Sequence, residues 1–211
     1  MIDCIIFDMD GTLVDSERLM MRGLLEMVPQ ITLSGDEMMR RFGGQHLRRT
    51  FKIIEEEFEV ELPDGFEPDY RARVAELIAS DLETFDGVEA LLSQLRLPFC
   101  LATNAPVEKA QLVMRTTRLD RFFGDRLFSA YEVGQWKPEP GLFLHAAETM
   151  QVSPEKCLVV EDSAFGIEAG LAAGMHVLQF CSNGEDPLHH NHFHHYSNFH
   201  DAVAAGLRAT G

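Results

Sequence analysis

The 211-residue chain carries a formal net charge of −16, with 45% hydrophobic residues and four cysteines. A chain of this size can bury a substantial core as one domain, or one domain with an insertion. Its acidic balance excludes general binding to nucleic acid or anionic membranes, which needs clustered Lys and Arg. No apolar run is long enough to span a bilayer and no basic-then-apolar leader opens the chain, so a soluble, cytoplasmic protein is expected; a monomer is expected as well.

In chain order, the first apolar run is Cys4–Phe7, and further strand candidates are Phe99–Ala102, Leu127–Ser129, Cys157–Val160 and Val177–Phe180. Most are continuously apolar, as strands covered on both faces must be. Helical patterns at Val88–Leu95, Val107–Arg118, Gly141–Met150 and Phe165–Ala173 lie between them. Such alternation predicts an α/β fold with a parallel sheet. The interval after Asp15 breaks the rhythm, with helical patterns at Arg18–Met27, Asp36–Arg41, Leu47–Phe58 and Asp69–Leu82 and no strand. Residues 16–82 are therefore expected as an all-helical insertion in a domain made of 1–15 and 83–211. The turn Asp86-Gly87 marks the return. The four cysteines sit in or beside apolar runs without CxxC spacing, and read as reduced, buried small hydrophobes.

Candidate chemistry gathers at the carboxyl ends of the strands, where ligands bind in open α/β sheets. Asp8-Met9-Asp10-Gly11-Thr12 follows the first strand and sets two carboxylates two positions apart. Such groups repel and raise one another's pKa unless a cation sits with them, and a divalent metal meets that need. Thr103 and Asn104 end the second strand, ahead of a helix whose free N–H groups favour an anion. Glu161-Asp162 ends the fourth, and Lys137 lies in a proline-bounded loop. Carboxylates, a hydroxyl and a lysine suit a hard cation such as Mg²⁺ and a phosphoryl group. An aspartate at a strand end is by itself an ordinary turn former or cap; the joint occurrence of Asp8, Asp10, Lys137 and Asp162 gives these residues their meaning.

Those four segments, in that order and spacing, resemble the motifs of the haloacid dehalogenase superfamily, on the branch with a helical cap inserted after the first motif. The resemblance covers essentially the whole chain and implies a Rossmann-like, doubly wound core. It implies a phosphatase in which Asp8 is the nucleophile, Asp10 the general acid and base, and Lys137 a neutralising cation. It further implies Thr103 and the amide of Asn104 as phosphate binders. Mg²⁺ would be held by Asp8, Asp10 through its backbone carbonyl, Asp162, and Glu161 directly or at one remove. Dehalogenase members need no acid at the position of Asp10, and phosphonatases lack it, so a phosphate ester is the implied substrate.

A β-phosphoglucomutase-like isomerase shares the first motif, but its polar residues fall here on Met20, Gly43 and Leu47, which favours hydrolysis. A non-catalytic phosphate-binding relative is disfavoured by the intact motifs. Residues 127–147 are similar to the 6-phosphogluconate phosphatase subgroup, and a small phosphorylated sugar or sugar acid is the expected ligand. Leaving-group choice is assigned to the basic, glycine-hinged stretch Arg40–Arg49, with Gly43, Gly44 and His46 as the substrate-facing candidates; its arginines also suit a solvated face paired with Glu55-Glu56-Glu57. Six of nine histidines fall between His189 and His200, in an expected solvated loop rather than a metal site. Met20, Met21, Leu24 and Met27 read as core of the helical insertion.

Overall fold

The computed structural model describes residues 1–43, 47–182 and 187–209, leaving aside the side chains of 205–209. Among the described residues a six-stranded, all-parallel sheet has the order β3-β2-β1-β4-β5-β6, with β1 Cys4–Phe7, β2 Phe99–Thr103, β3 Leu127–Ser129, β4 Cys157–Glu161, β5 His176–Phe180 and β6 His192–Phe193. This is the doubly wound order, reversing direction between β1 and β4, and ligands in such sheets bind beyond the strand ends at that reversal. The helices of this unit are α5 Val88–Gln94, α6 Val107–Thr116, α7 Asp120–Phe123, α8 Ala130–Val133, α9 Gly141–Thr149, α10 Ala164–Ala172 and α11 Phe199–Ala209.

Side chains alternate along each strand, so β1 feeds two separate cores. Cys4 and Ile6 join Cys100, Ala102, Cys157 and Val159 in a cluster closed by Leu142 and Phe143 of α9 and Ile167 of α10. On the opposite face Phe7 packs against Phe99, Phe123 and Phe199, with ring centroids 6.2 to 6.4 Å apart. All four cysteines are free and buried, as their apolar settings predict.

Two compact units divide the chain: Met1–Val14 with Glu83–Gly211, and Asp15–Leu82. The second is built of α1 Ser16–Met27, α2 Gly35–Phe42, α3 Leu47–Phe58 and α4 Phe66–Asp81. Gly23 lets α1 approach α4 closely, since a Cβ there would lie 3.1 Å from Val74 Cγ2. The Tyr70 hydroxyl donates to the Met20 carbonyl oxygen at 3.0 Å, and Phe51, Phe66 and Tyr70 pack ring against ring. Ser34 and Glu37 form a reciprocal capping box at the start of α2. Met21 and Leu24 are core here, whereas Met20 and Met27 are only half-buried, a correction to the expectation that all four are core.

The segment expected as a solvated histidine loop is corrected more substantially. It carries β6, which pairs with β5, and several of its imidazoles lie beside its own backbone: His189 Nδ1 accepts from the Asn191 N–H at 3.2 Å, and His194 Nδ1 lies 3.2 Å from the Cys181 carbonyl oxygen. A two-residue strand is too short to show a period, and the buried anchors Phe193, Tyr196 and Phe199 are spread among the histidines.

Candidate active site

The Asp8 N–H donates to the Val160 carbonyl oxygen at 2.9 Å, which carries the β1/β4 ladder one residue past β1 and fixes the direction of the Asp8 side chain. The chain then turns through Gly11 at φ +82°, a conformation that favours glycine. Space demands glycine as well, for a Cβ there would lie 2.3 Å from Asp162 Oδ2. The Thr12 hydroxyl donates to Asp162 Oδ1 at 2.7 Å, while Gln179 Nε2 donates to the Asp162 carbonyl oxygen at 3.3 Å. The Tyr196 hydroxyl donates to the Thr12 carbonyl oxygen at 2.6 Å, so the histidine-rich segment braces the first motif from behind.

Lys137 is the buried cation of this cluster. Its Nζ donates to Asp8 Oδ1 and, at 2.7 Å, to Glu161 Oε1, and it lies 4.8 Å from the Phe143 ring centroid. Glu161 is held from its other side, where Oε2 accepts from the Ser163 N–H at 2.7 Å and the Ser163 hydroxyl at 2.9 Å. Asn104 clamps the backbone of Lys137: Oδ1 accepts from the Lys137 N–H at 3.0 Å and Nδ2 donates to its carbonyl oxygen at 3.3 Å. Thr103 is buried, and its Oγ1 accepts from the Ala105 N–H at 3.0 Å. A hydroxyl that accepts one hydrogen bond can still donate its proton, so Thr103 has the chemistry to serve an anion as well.

Burial pushes the Asp8 carboxyl well above the usual carboxylate range, against the pull of Lys137 and with Glu161 and Asp10 adding to the rise. Burial alone would lower Lys137, but Asp8 and Glu161 carry it upward, so the ammonium form is secure. Oxygens of Asp8, Glu161 and Asp162 lie within 4.8 Å of one another, the one such group of potential ligands among the described residues. Three converging carboxylates and one ammonium leave a local excess of negative charge, and hard oxygen donors of this kind fit a hard divalent cation.

The model of the haloacid dehalogenase-like hydrolase family matches residues 2–174. The chain belongs to that family. It is 41% identical over 185 residues to the 6-phosphogluconate phosphatase of Escherichia coli, covering 86% of this chain and 84% of that protein. It is 30% identical over 182 residues to a phosphorylated carbohydrates phosphatase of Thermotoga maritima, covering 82% of each. Among solved structures, a haloacid dehalogenase-like protein of Agrobacterium tumefaciens superposes with a TM-score of 0.89 at 28% identity, over 98% of this chain and all of that one. The enzyme class these likenesses show is phosphatase.

Within this dehalogenase-like fold the motif residues expected from the sequence converge unevenly. Asp8, Lys137, Glu161 and Asp162 form one cluster, with Thr103 and Asn104 at the end of the neighbouring strand β2. Asp10 is half-buried, and its Oδ1 accepts from Lys109 Nζ at 2.9 Å. Lys109 is a partner that sequence reasoning missed, for a lone lysine in an amphipathic helix carries no signal. The roles of Gln179, Ser163 and the Asn104 side chain were equally invisible. In the helical unit, Gly43 closes α2, its N–H donating to the Met39 carbonyl oxygen at 2.9 Å; a Cβ there would meet that oxygen at 2.6 Å. Gly44 and His46 lie outside the described residues. Of the acidic run, Glu57 pairs with Arg41, while Arg48 reaches Glu67 instead.

Proposed function

We propose that this phosphatase hydrolyses a small phosphorylated sugar or sugar acid, of the 6-phosphogluconate kind, through a phosphoryl group carried on Asp8 and with the help of Mg²⁺. The observation that carries the reading is the buried bridge of Lys137 between Asp8 and Glu161, with a third carboxylate, Asp10, near enough to act on Asp8 electrostatically. In the first step an Asp8 oxygen bonds to phosphorus, the ester P–O bond breaks, and the departing oxygen takes a proton from the Asp10 carboxyl. In the second, water bonds to the same phosphorus and gives its proton to the Asp10 carboxylate, and the electron pair of the P–O bond returns to Asp8. Lys137 faces the non-bridging phosphoryl oxygens, and the Thr103 hydroxyl with the Asn104 N–H supplies further donors to them. A divalent cation held by Asp8, Asp162 and Glu161, with the Asp10 carbonyl oxygen, would add positive charge against those same oxygens.

The likeness to phosphatases of 6-phosphogluconate and other phosphorylated carbohydrates supports the substrate class. We assign leaving-group choice to the segment containing Gly43, Gly44 and His46, and the cytoplasm as the site of action. Phosphate release should be measured with Mg²⁺ across sugar-acid phosphates, hexose phosphates, glycolate phosphate and nucleoside monophosphates. Sugar-acid or hexose phosphates should lead, yielding inorganic phosphate rather than an isomeric ester. Asp8→Asn should release none, and a lead by nucleotides would overturn the substrate class.

A further inference from the structure

We infer that Lys109 is a positioning residue for the acid–base group: its ammonium holds the Asp10 carboxylate in the orientation that serves the leaving oxygen. The inference rests on the proposed role of Asp10. Lys109 stands in the first turn of α6, whose backbone is fixed by the buried Ala110, Val113 and Met114. From that anchored base its Nζ crosses to Asp10 Oδ1 at 2.9 Å, joining residues 99 positions apart. Each side chain is only about one-fifth exposed, at 22% for Lys109 and 21% for Asp10, so the pair is shielded far more than a surface bridge.

Asp10 follows β1 by three residues and stands outside the six-stranded sheet, in the turn closed by the Gly11 N–H to the Val14 carbonyl oxygen. A carboxyl that must give a proton to one oxygen and later take one from a water has to stay within hydrogen-bond reach of both. A displacement of the order of 1 Å costs such a step about a hundredfold. An ammonium on one carboxylate oxygen anchors that oxygen and limits the swing of the group. Asp8 is held by a different lysine, from a loop rather than a helix, so the two carboxylates of the first motif each have a cation beside them. Charge of the same sign at two points keeps the repelling pair apart and separately aimed.

The test uses the intact enzyme with Mg²⁺ and a series of phosphate esters from nitrophenyl, a leaving group that departs without a proton, to alkyl and sugar esters, which need one. The kcat/KM of wild type should vary little along the series. Lys109→Met should lose about ten- to a hundredfold on alkyl and sugar esters and far less on the nitrophenyl ester, with Lys109→Arg restoring most of the loss. Asp10→Asn should show the same steep dependence, and adding Lys109→Met to it should cost nothing more. A uniform fall across all esters, or none, in Lys109→Met would overturn the positioning role while leaving Asp10 as the acid. A flat series in Asp10→Asn would instead overturn the reading of Asp10 on which the inference stands.

Discussion

The α/β unit and the helical unit use charge in opposite ways. In the first, Lys137, Asp8 and Glu161 are each under a tenth exposed and converge on one point, although burial of ions costs several kcal/mol apiece before pairing. In the second, Arg22, Arg73 and Glu26 form a surface chain in which every member is at least one-third exposed; two of its four bridges lie three or four positions apart on one helix, and two, Arg22–Asp81 and Arg73–Glu26, join α1 to α4. Surface pairs of that kind contribute little and constrain little. Buried, costly charge at strand ends marks chemistry, whereas inexpensive charge along a helix marks solubility and local helix support.

The largest expected effect separates the two units at once. Lys137→Met leaves Asp8 and Glu161 buried without their ammonium, and removing one partner of a buried pair costs about 3 to 5 kcal/mol. In a chain of this length that lowers Tm by about 10 °C, and phosphatase activity should vanish with it. Asp8→Asn should abolish activity too, yet without lowering Tm, because it relieves repulsion within the carboxylate cluster. Thermal unfolding of both variants in chelator checks the pair of outcomes. Equal losses of Tm would show that the cluster is structural in the manner of an ordinary ion pair.

How much of this contrast is legible in the sequence follows from which interactions are local. Asp8, Asp10 and Gly11 stand in one turn, Glu161-Asp162 in another, and strand-end position is readable from the apolar runs before them. What joins Lys137 to Asn104, Lys109 to Asp10 and Gln179 to Asp162 is sheet order and side-chain reach across many positions, which leave no local pattern. β6 escaped for a related reason, as two residues among histidines have no period. The short helices α7 and α8, four residues each, fall below the length at which helical spacing can be told from a turn.

A pair of glycine variants gives a smaller effect with a change of sign between units. In a helix interior Gly→Ala ordinarily stabilises by about 0.5 to 1 kcal/mol. Gly35 opens α2 with nothing within 4 Å of a built Cβ, so Gly35→Ala should raise Tm slightly. In α10, a Cβ on Gly166 would lie 1.8 Å from Glu161 Oε1, and that carboxylate is pinned by Lys137 and Ser163. It cannot swing aside without breaking those bonds. Gly166→Ala should therefore destabilise by about 1 to 3 kcal/mol, as overpacking does, with kcat falling about tenfold as Lys137 shifts. Thermal unfolding and steady-state kinetics on the two variants decide it; a stabilised, fully active Gly166→Ala would show that Glu161 needs no fixed place.

The smallest effect lies in the surface network itself and is read on the acid side. Hydrogen bonds from Arg22 and then Arg73 hold the Glu26 carboxyl below its usual range, and the Ser34 hydroxyl and N–H do the same for Glu37. A folded-state pKa below the unfolded value contributes stability that is present above the unfolded pKa, about 4.3 for a glutamate, and is lost as pH falls through the lowered value. Hydrogen-exchange protection of α1 and α2 should thus decline below about pH 4, and a rise in salt should shrink the decline, since exposed charges are screened. Glu26→Gln should flatten the slope in α1 while moving Tm at neutral pH by less than about 2 °C. An unchanged slope in that variant would mean the network contributes nothing even locally. A large loss of Tm would mean that the helical unit leans on its charges as heavily as the α/β unit does, and the contrast between the two would fail from the side where it is weakest.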